Sequence, residues 1–315
     1  MRRLSRLVVF AALVAVSATF AAASATSKQP RMTFASPVTG LAIEDGSLWV
    51  SIASDDIMLR LDARTGRRLA RIDLPRADLR ALGGGTLAAG RGKIWIAAPV
   101  HVEGDPSVGD ASGWIGRIDT RTLKLDLVQV HGDRPAAVTV GRTAVWITGV
   151  RTLRRVDLAT GQITKSVEFK RFLGAVAATR AAVWVTWGNT DRLMQVDPRT
   201  LAVRASIPIG HSSAGSSLAV AGSLVWAATD RGLVGVDTAS AKIRSRIALP
   251  GASQVAFDGS RLWALADGGV YSIRGKTITK RLSLPTQVFG TLAAAGRDVW
   301  LSDEATNSLR RIPTS

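Results

Sequence analysis

The sequence predicts an all-β chain: a seven-bladed β-propeller with four antiparallel strands per blade and the last blade closed by the N-terminal strand. Three observations predict it. A Φ-Trp-Φ/Ala step recurs seven times, centred on Trp49, Trp95, Trp146, Trp184, Trp226, Trp263 and Trp300, at spacings of 46, 51, 38, 42, 37 and 37 residues. That period suits a four-stranded repeat and not a helical hairpin array. Each copy carries the same flanking signals, and the two ends of the chain complement one another as the halves of a split blade.

The elements follow in chain order. In the first copy, Gly40-Leu-Ala-Ile-Glu-Asp-Gly46 is a small apolar strand ending in a glycine turn, and the Trp49 strand follows it. A third strand ends at Leu61-Asp62, and Asp62-Ala-Arg-Thr-Gly66 reads as a tight turn in which the Asp side chain accepts from backbone N–H groups two residues on. The second to fifth copies repeat this at Ile118-Asp119, Val156-Asp157, Val196-Asp197 and Val236-Asp237. Alternating fourth strands close the units, as in Lys242-Ile-Arg-Ser-Arg-Ile-Ala-Leu-Pro250. The sixth copy is marked by Leu262-Trp263-Ala264. The seventh opens with Thr291-Leu-Ala-Ala-Ala-Gly296 and stops at Leu309-Arg-Arg-Ile-Pro313, a third strand with no fourth. The segment Arg31-Met-Thr-Phe-Ala-Ser-Pro37 resembles the other fourth strands and supplies the missing one. Such a latch removes the open edge that a linear array would present for aggregation.

The chain has 315 residues, 46% of them hydrophobic, and the continuous repeat argues for a single domain over residues 26–315. Residues 1–25 read as a secretory signal peptide: Arg2, Arg3 and Arg6, then an apolar stretch over 7–16, then Ala23-Ser-Ala25 as a small-residue cleavage signal. No further segment is apolar for long enough to span a bilayer. The expected location is therefore secreted or extracytoplasmic, in the cell envelope. With no cysteine, the exported fold relies on its cores and its latch.

The formal net charge is +17, or +14 without the three arginines of the signal. Such a balance draws a protein toward anionic cell-envelope polymers, lipid or nucleic acid. The basic positions are scattered over the blades without a run of five, and 33 of the 41 are Arg. That pattern equally fits charge that solvates outer strands, and it gives no ground for specific nucleic-acid recognition.

In such a ring the connections from fourth to first strands and the loops from second to third strands share one face, here called upper, around the channel mouth. Concave sites of this kind take ligands. All three histidines fall in these loops, and the candidate ligand-binding residues are His101, Trp114, His131, Arg134, Arg151, Trp187, Asn189, His211 and Asp303. Trp114 and Trp187 lie outside the seven-fold series; each can stack on a planar ligand or plug the funnel. The in-register tryptophans read as core wedges between blades. Trp187, three residues after Trp184, faces the other side of its strand and should lean toward the loop mouth. No histidine pair has metal-ligand spacing, the 101–110 insertion lacks the alternation of a calcium loop, and no nucleophile motif occurs, so no catalytic or metal-ligating residue is assigned.

The chain resembles bacterial YVTN-type and NHL-like propellers, best over Val196-Asp-Pro-Arg-Thr-Leu-Ala-Val-Arg-Ala-Ser-Ile-Pro-Ile-Gly-His211. More loosely, its Φ-Trp-Φ strand followed by a strand ending in Arg-Ile/Val-Asp is similar to the streptogramin B (virginiamycin B) lyase group. That second resemblance implies a metal-assisted proton abstraction by a histidine, and a divalent metal as cofactor. The Glu of the lyase repeat Trp-Phe-Thr-Glu is absent from every blade: Ile52, Ala98, Gly149, Trp187, Thr229, Ala266 and Asp303 stand there. The expectation is therefore a binding or interaction module with a protein or small-molecule ligand at the upper channel mouth. A metal-dependent lyase or lactonase-like enzyme is the alternative.

Overall fold

A computed structural model describes residues 31–52, 57–74, 86–99, 113–187, 191–212, 217–275, 277–284 and 288–314. They form seven four-stranded antiparallel sheets with no helix among the described residues. Blade 1 comprises Val38–Glu44, Ser47–Ile52, Ile57–Asp62 and Arg68–Asp73. The first strands of neighbouring blades touch one another, so they line the ring's centre and the fourth strands its rim.

The wedge tryptophans organise the core. All seven are buried, and the described residues form seven hydrophobic clusters. Each cluster contains one of them together with residues of the following blade. Trp49, for example, packs with Met58 and Ile72 of its own blade against Ile94, Ile96 and Ile118 of blade 2. Burying such a ring at every junction contributes about 2–3 kcal/mol apiece, which makes the junctions the main source of stability.

The latch forms as the sequence predicts, although it is short. Arg31–Thr33 pairs with Ser308–Arg311 in the register Arg31 to Arg310, Met32 to Leu309 and Thr33 to Ser308. Phe34 N–H donates to Asn307 O (2.9 Å), and the Asn307 side chain donates back to Ala35 O (3.1 Å). Met32 and Phe34 pack on the cluster that joins blades 7 and 1, and the Trp300 indole N–H donates across this junction to Ala63 O (2.8 Å).

The Asp turns lie on the lower face. The Asp62 carboxylate accepts from Arg64 N–H (3.1 Å) and Thr65 N–H (2.7 Å), and Asp119, Asp157 and Asp197 repeat the pattern. These N–H groups hold the carboxyl of Asp197 down at about 2. The fifth turn residue is left-handed throughout: Gly66 and Gly161 in two blades, but Leu123, Leu201 and Ala241 in three. A non-glycine residue there costs about 1 kcal/mol, which the turn bonds offset.

Candidate functional site on the upper face

Backbone hydrogen bonds hold the two kinds of upper connection together. Phe169 N–H donates to Arg151 O (2.8 Å), Asp230 N–H to His211 O (3.0 Å), and Glu304 N–H to Phe289 O (2.9 Å). Side chains that leave this framework therefore stand on a rigid rim, although the sequences of the loops differ.

Between blades 4 and 5 the rim opens into a cleft of about 930 Å³. Ile209, Leu233 and Val234 form its apolar wall, and Asp191, His211, Asp230, Arg231 and Arg246 supply its polar edge. His211 Nδ1–H donates to Asp230 Oδ2 at 2.6 Å, with both side chains more than half exposed. The carboxylate orients the ring, which leaves Nε2 for a ligand. Arg246 Nη1 donates to Ile209 O (3.4 Å), so one guanidinium is tied to the wall while the Arg231 side chain stands exposed. The cleft thus offers an apolar surface with charges of both signs at its edge.

Blade 3 is different in kind. The Asp133 carboxylate is buried and accepts from Val150 N–H (2.8 Å), Thr152 N–H (3.0 Å) and Thr152 Oγ1–H (2.5 Å). Buried Arg154 lies 3.5 Å from it, and burial lowers the Arg154 pKa while Asp133 counters the shift. Gly149 is required here, since a Cβ would collide with the Asp133 carboxylate. This is a lock for the 131–135 connection: it leaves His131 exposed and Arg134 half-buried on either side of Asp133. Arg151 is exposed and pairs with Glu168 (2.7 Å).

Trp187 ends Val183–Trp187, half-buried against the cluster shared by blades 3 and 4, whereas Trp184 packs in the cluster of blades 4 and 5. The odd offset thus separates the two rings as expected. The Arg171 guanidinium sits 5.7 Å from the Trp187 ring centroid, with Phe172 beside it exposed. Trp114, in Gly113–Asp119, is half-buried against the cluster of blades 1 and 2. Asp303 is buried at the end of its strand, 3.9 Å from Arg310. His101 and Asn189 lie outside the described residues.

The structure thus brings His211, one of the loop histidines singled out in the sequence, together with Asp230. It leaves His131 and His211 in different blade junctions. Phe172 and Phe289 were missed: they are 58% and 66% exposed, on the connections into blades 4 and 7. Their settings, Arg171-Phe172-Leu173 and Val288-Phe289-Gly290, carry no sequence signal that sets these rings apart from buried ones. Among the described residues no three His, Asp or Glu side chains gather as a metal-holding set, and no helix is long and apolar enough to cross a membrane.

With this geometry in hand, solved structures supply the comparison. The chain is a seven-bladed β-propeller. It is similar to BamB from Moraxella catarrhalis, at TM-score 0.56 and 16% identity over 88% of this chain and 83% of that one. It is similar also to the Pan2 WD40 domain of Neurospora crassa, at TM-score 0.66 and 10% identity over 89% and 90%. At such identities the likeness concerns the fold alone. No protein-family model and no curated protein matches the chain in sequence.

Proposed function

We propose that this propeller is an extracytoplasmic interaction module that binds a polypeptide partner across its upper face. The observation that carries the reading is the pair of exposed phenylalanines, Phe172 and Phe289, on the same face as the His211–Asp230 cleft. Exposed aromatic anchors near charges of both signs have the chemistry of a protein interface: the ring supplies apolar contact and the charges set orientation. Trp187 under Arg171 and the exposed His131 and Arg151 extend that surface; His101, Asn189, Trp114, Arg134 and Asp303 border it in sequence. The N-terminal charge and small-residue pattern supports export, and predicts a mature chain that starts at Thr26.

Photo-reactive residues placed singly at Phe172, His211 and Phe289, and at Thr65 and Ser240 on the lower face, test the reading in the producing cell. Discrete adducts from the upper positions alone are expected. Adducts from the lower positions alone, or a mature chain retained in the cytoplasm, would overturn it. Divalent-metal-dependent opening of a cyclic depsipeptide or lactone by the purified protein, abolished by His211→Ala, would favour the lyase-like alternative instead.

A further inference from the structure

On the lower face blade 6 departs from a blade-to-blade staple that three other blades share. In blades 1, 2 and 4 the third-strand residue opposite the wedge tryptophan reaches the Asp turn of the next blade. Arg60 Nη1 donates to Thr120 O (3.0 Å), Arg117 Nη1 to Ala159 O, and Gln195 Nε2 to Thr238 O (3.2 Å). The counterpart in blade 6 is Ser272, opposite Trp263, and it is too short to cross. Blade 6 also lacks the Asp turn. Arg274 pairs directly with Thr277, and the extra residue moves up the strand to a register shift at Arg281.

The outcome is a groove of about 250 Å³ lined by Arg261, Ser272, Arg274, Thr277, Thr279 and Arg281. Among the described residues its lining has three guanidinium groups, three hydroxyls and no carboxylate. Neutral partners set the arginine positions: Arg281 Nε donates to Ser272 Oγ (2.9 Å) and Arg261 Nη1 to Thr314 O (3.1 Å). Arg261 also lies over the Trp263 ring, 5.8 Å from its centroid. The nearest acid, Asp258, is 3.6 Å from Arg261 Nε, but it already accepts from Ser260 N–H, Ser260 Oγ–H, Arg261 N–H and the Trp263 indole. Each guanidinium carries five N–H donors, so most of them stay available to the groove.

We propose that this groove on blade 6 is a binding site for a phosphate-type oxyanion. Three cations and three hydroxyls that converge from two strands and a turn suit a tetrahedral, multiply charged group better than a planar carboxylate, which one arginine fork already satisfies. The site is on the face opposite the interaction surface and stands or falls independently of it.

Titration of the full chain with inorganic phosphate at low ionic strength, followed by calorimetry, tests the site. One saturable phosphate per chain is expected. Arg274→Ala with Arg281→Ala should weaken it about tenfold or more. Removal of the same charge at Arg64 and Arg67 of the blade 1 turn should change it less than about twofold, because those exposed charges act only through screened solvent. Arg274 alone, being exposed, gives a second variant whose folding is not in question. Absence of saturation, or equal weakening by the control pair, overturns the proposal. Flotation with phosphatidylglycerol vesicles identifies the source. Retention of the parent but not of the double variant assigns the phosphate to a lipid headgroup, and retention of neither assigns it to a soluble or polymer-borne phosphate.

Discussion

On the lower face five aspartates, Asp62, Asp119, Asp157, Asp197 and Asp237, close the same turn at the same place, and each is held below its usual carboxyl range by the groups it accepts from. On the upper face the matching connections hold a buried Asp133–Arg154 lock, an Arg171–Trp187 contact beside bare Phe172, an exposed His211–Asp230 pair, and bare Phe289. The two faces belong to the same blades and share the same junctions. Repetition therefore marks what every blade needs in order to close the ring, and departure from it marks where the chain is released from that need. The oxyanion groove follows the same rule, because it sits where the lower repeat itself lapses.

The largest effect should come from the junctions. Trp184→Ala removes a fully buried wedge and should cost about 3–5 kcal/mol in denaturant unfolding, whereas Trp187→Ala, at the half-buried upper end of the same strand, should cost about 1–2 kcal/mol. Equal losses would erase the distinction between scaffold and rim. Next comes the latch. Deletion of residues 26–37 removes Met32 and Phe34 from the closing junction and should destabilise the ring by about 2–4 kcal/mol. Unchanged stability would show that the ring closes without it.

The fold was legible because its causes repeat. A tryptophan in each second strand and an Asp at the end of five third strands are local signals with one physical meaning, and they recur until chance is excluded. Even the latch was readable from Leu309-Arg-Arg-Ile-Pro313 and its missing partner. The candidate site was legible only in part. That His211 lies above a cleft depends on which side of a blade its connection faces, and its bond to Asp230 joins residues 19 apart through tertiary geometry. Buried Arg154 offered no signal at all, because the same strand position holds Leu59 or Met194 in other blades, and only Asp133 across the loop makes a cation tolerable there. The groove of blade 6 was hidden because its arginines come together only through the register that the short Arg274 to Thr277 turn sets.

Smaller effects separate the faces further. The Asp197 carboxyl is held at about 2 by the Thr200 and Arg199 N–H groups and by Arg204, below an unfolded value of about 3.9. A depressed carboxyl contributes stability that is fully present above the unfolded value and lost as pH falls through the folded one. Unfolding followed from pH 5 downward should therefore lose stability between about pH 4 and pH 2, and Asp197→Asn should flatten that slope; an unchanged slope would remove the turns from the acid response. Ala241→Gly relieves a left-handed residue in the blade 5 turn and should stabilise by about 0.5–1 kcal/mol, where the same change at a right-handed exposed position would destabilise.

The division of labour between the faces is tested most directly by hydrogen exchange on the purified propeller, with and without the partner recovered through the cross-link. Added protection is expected at the upper connections, over residues 169–173, 209–212, 230–233 and 288–291, with the lower turns at 62–66, 157–161 and 237–241 unchanged. Protection confined to those lower turns would contradict the account.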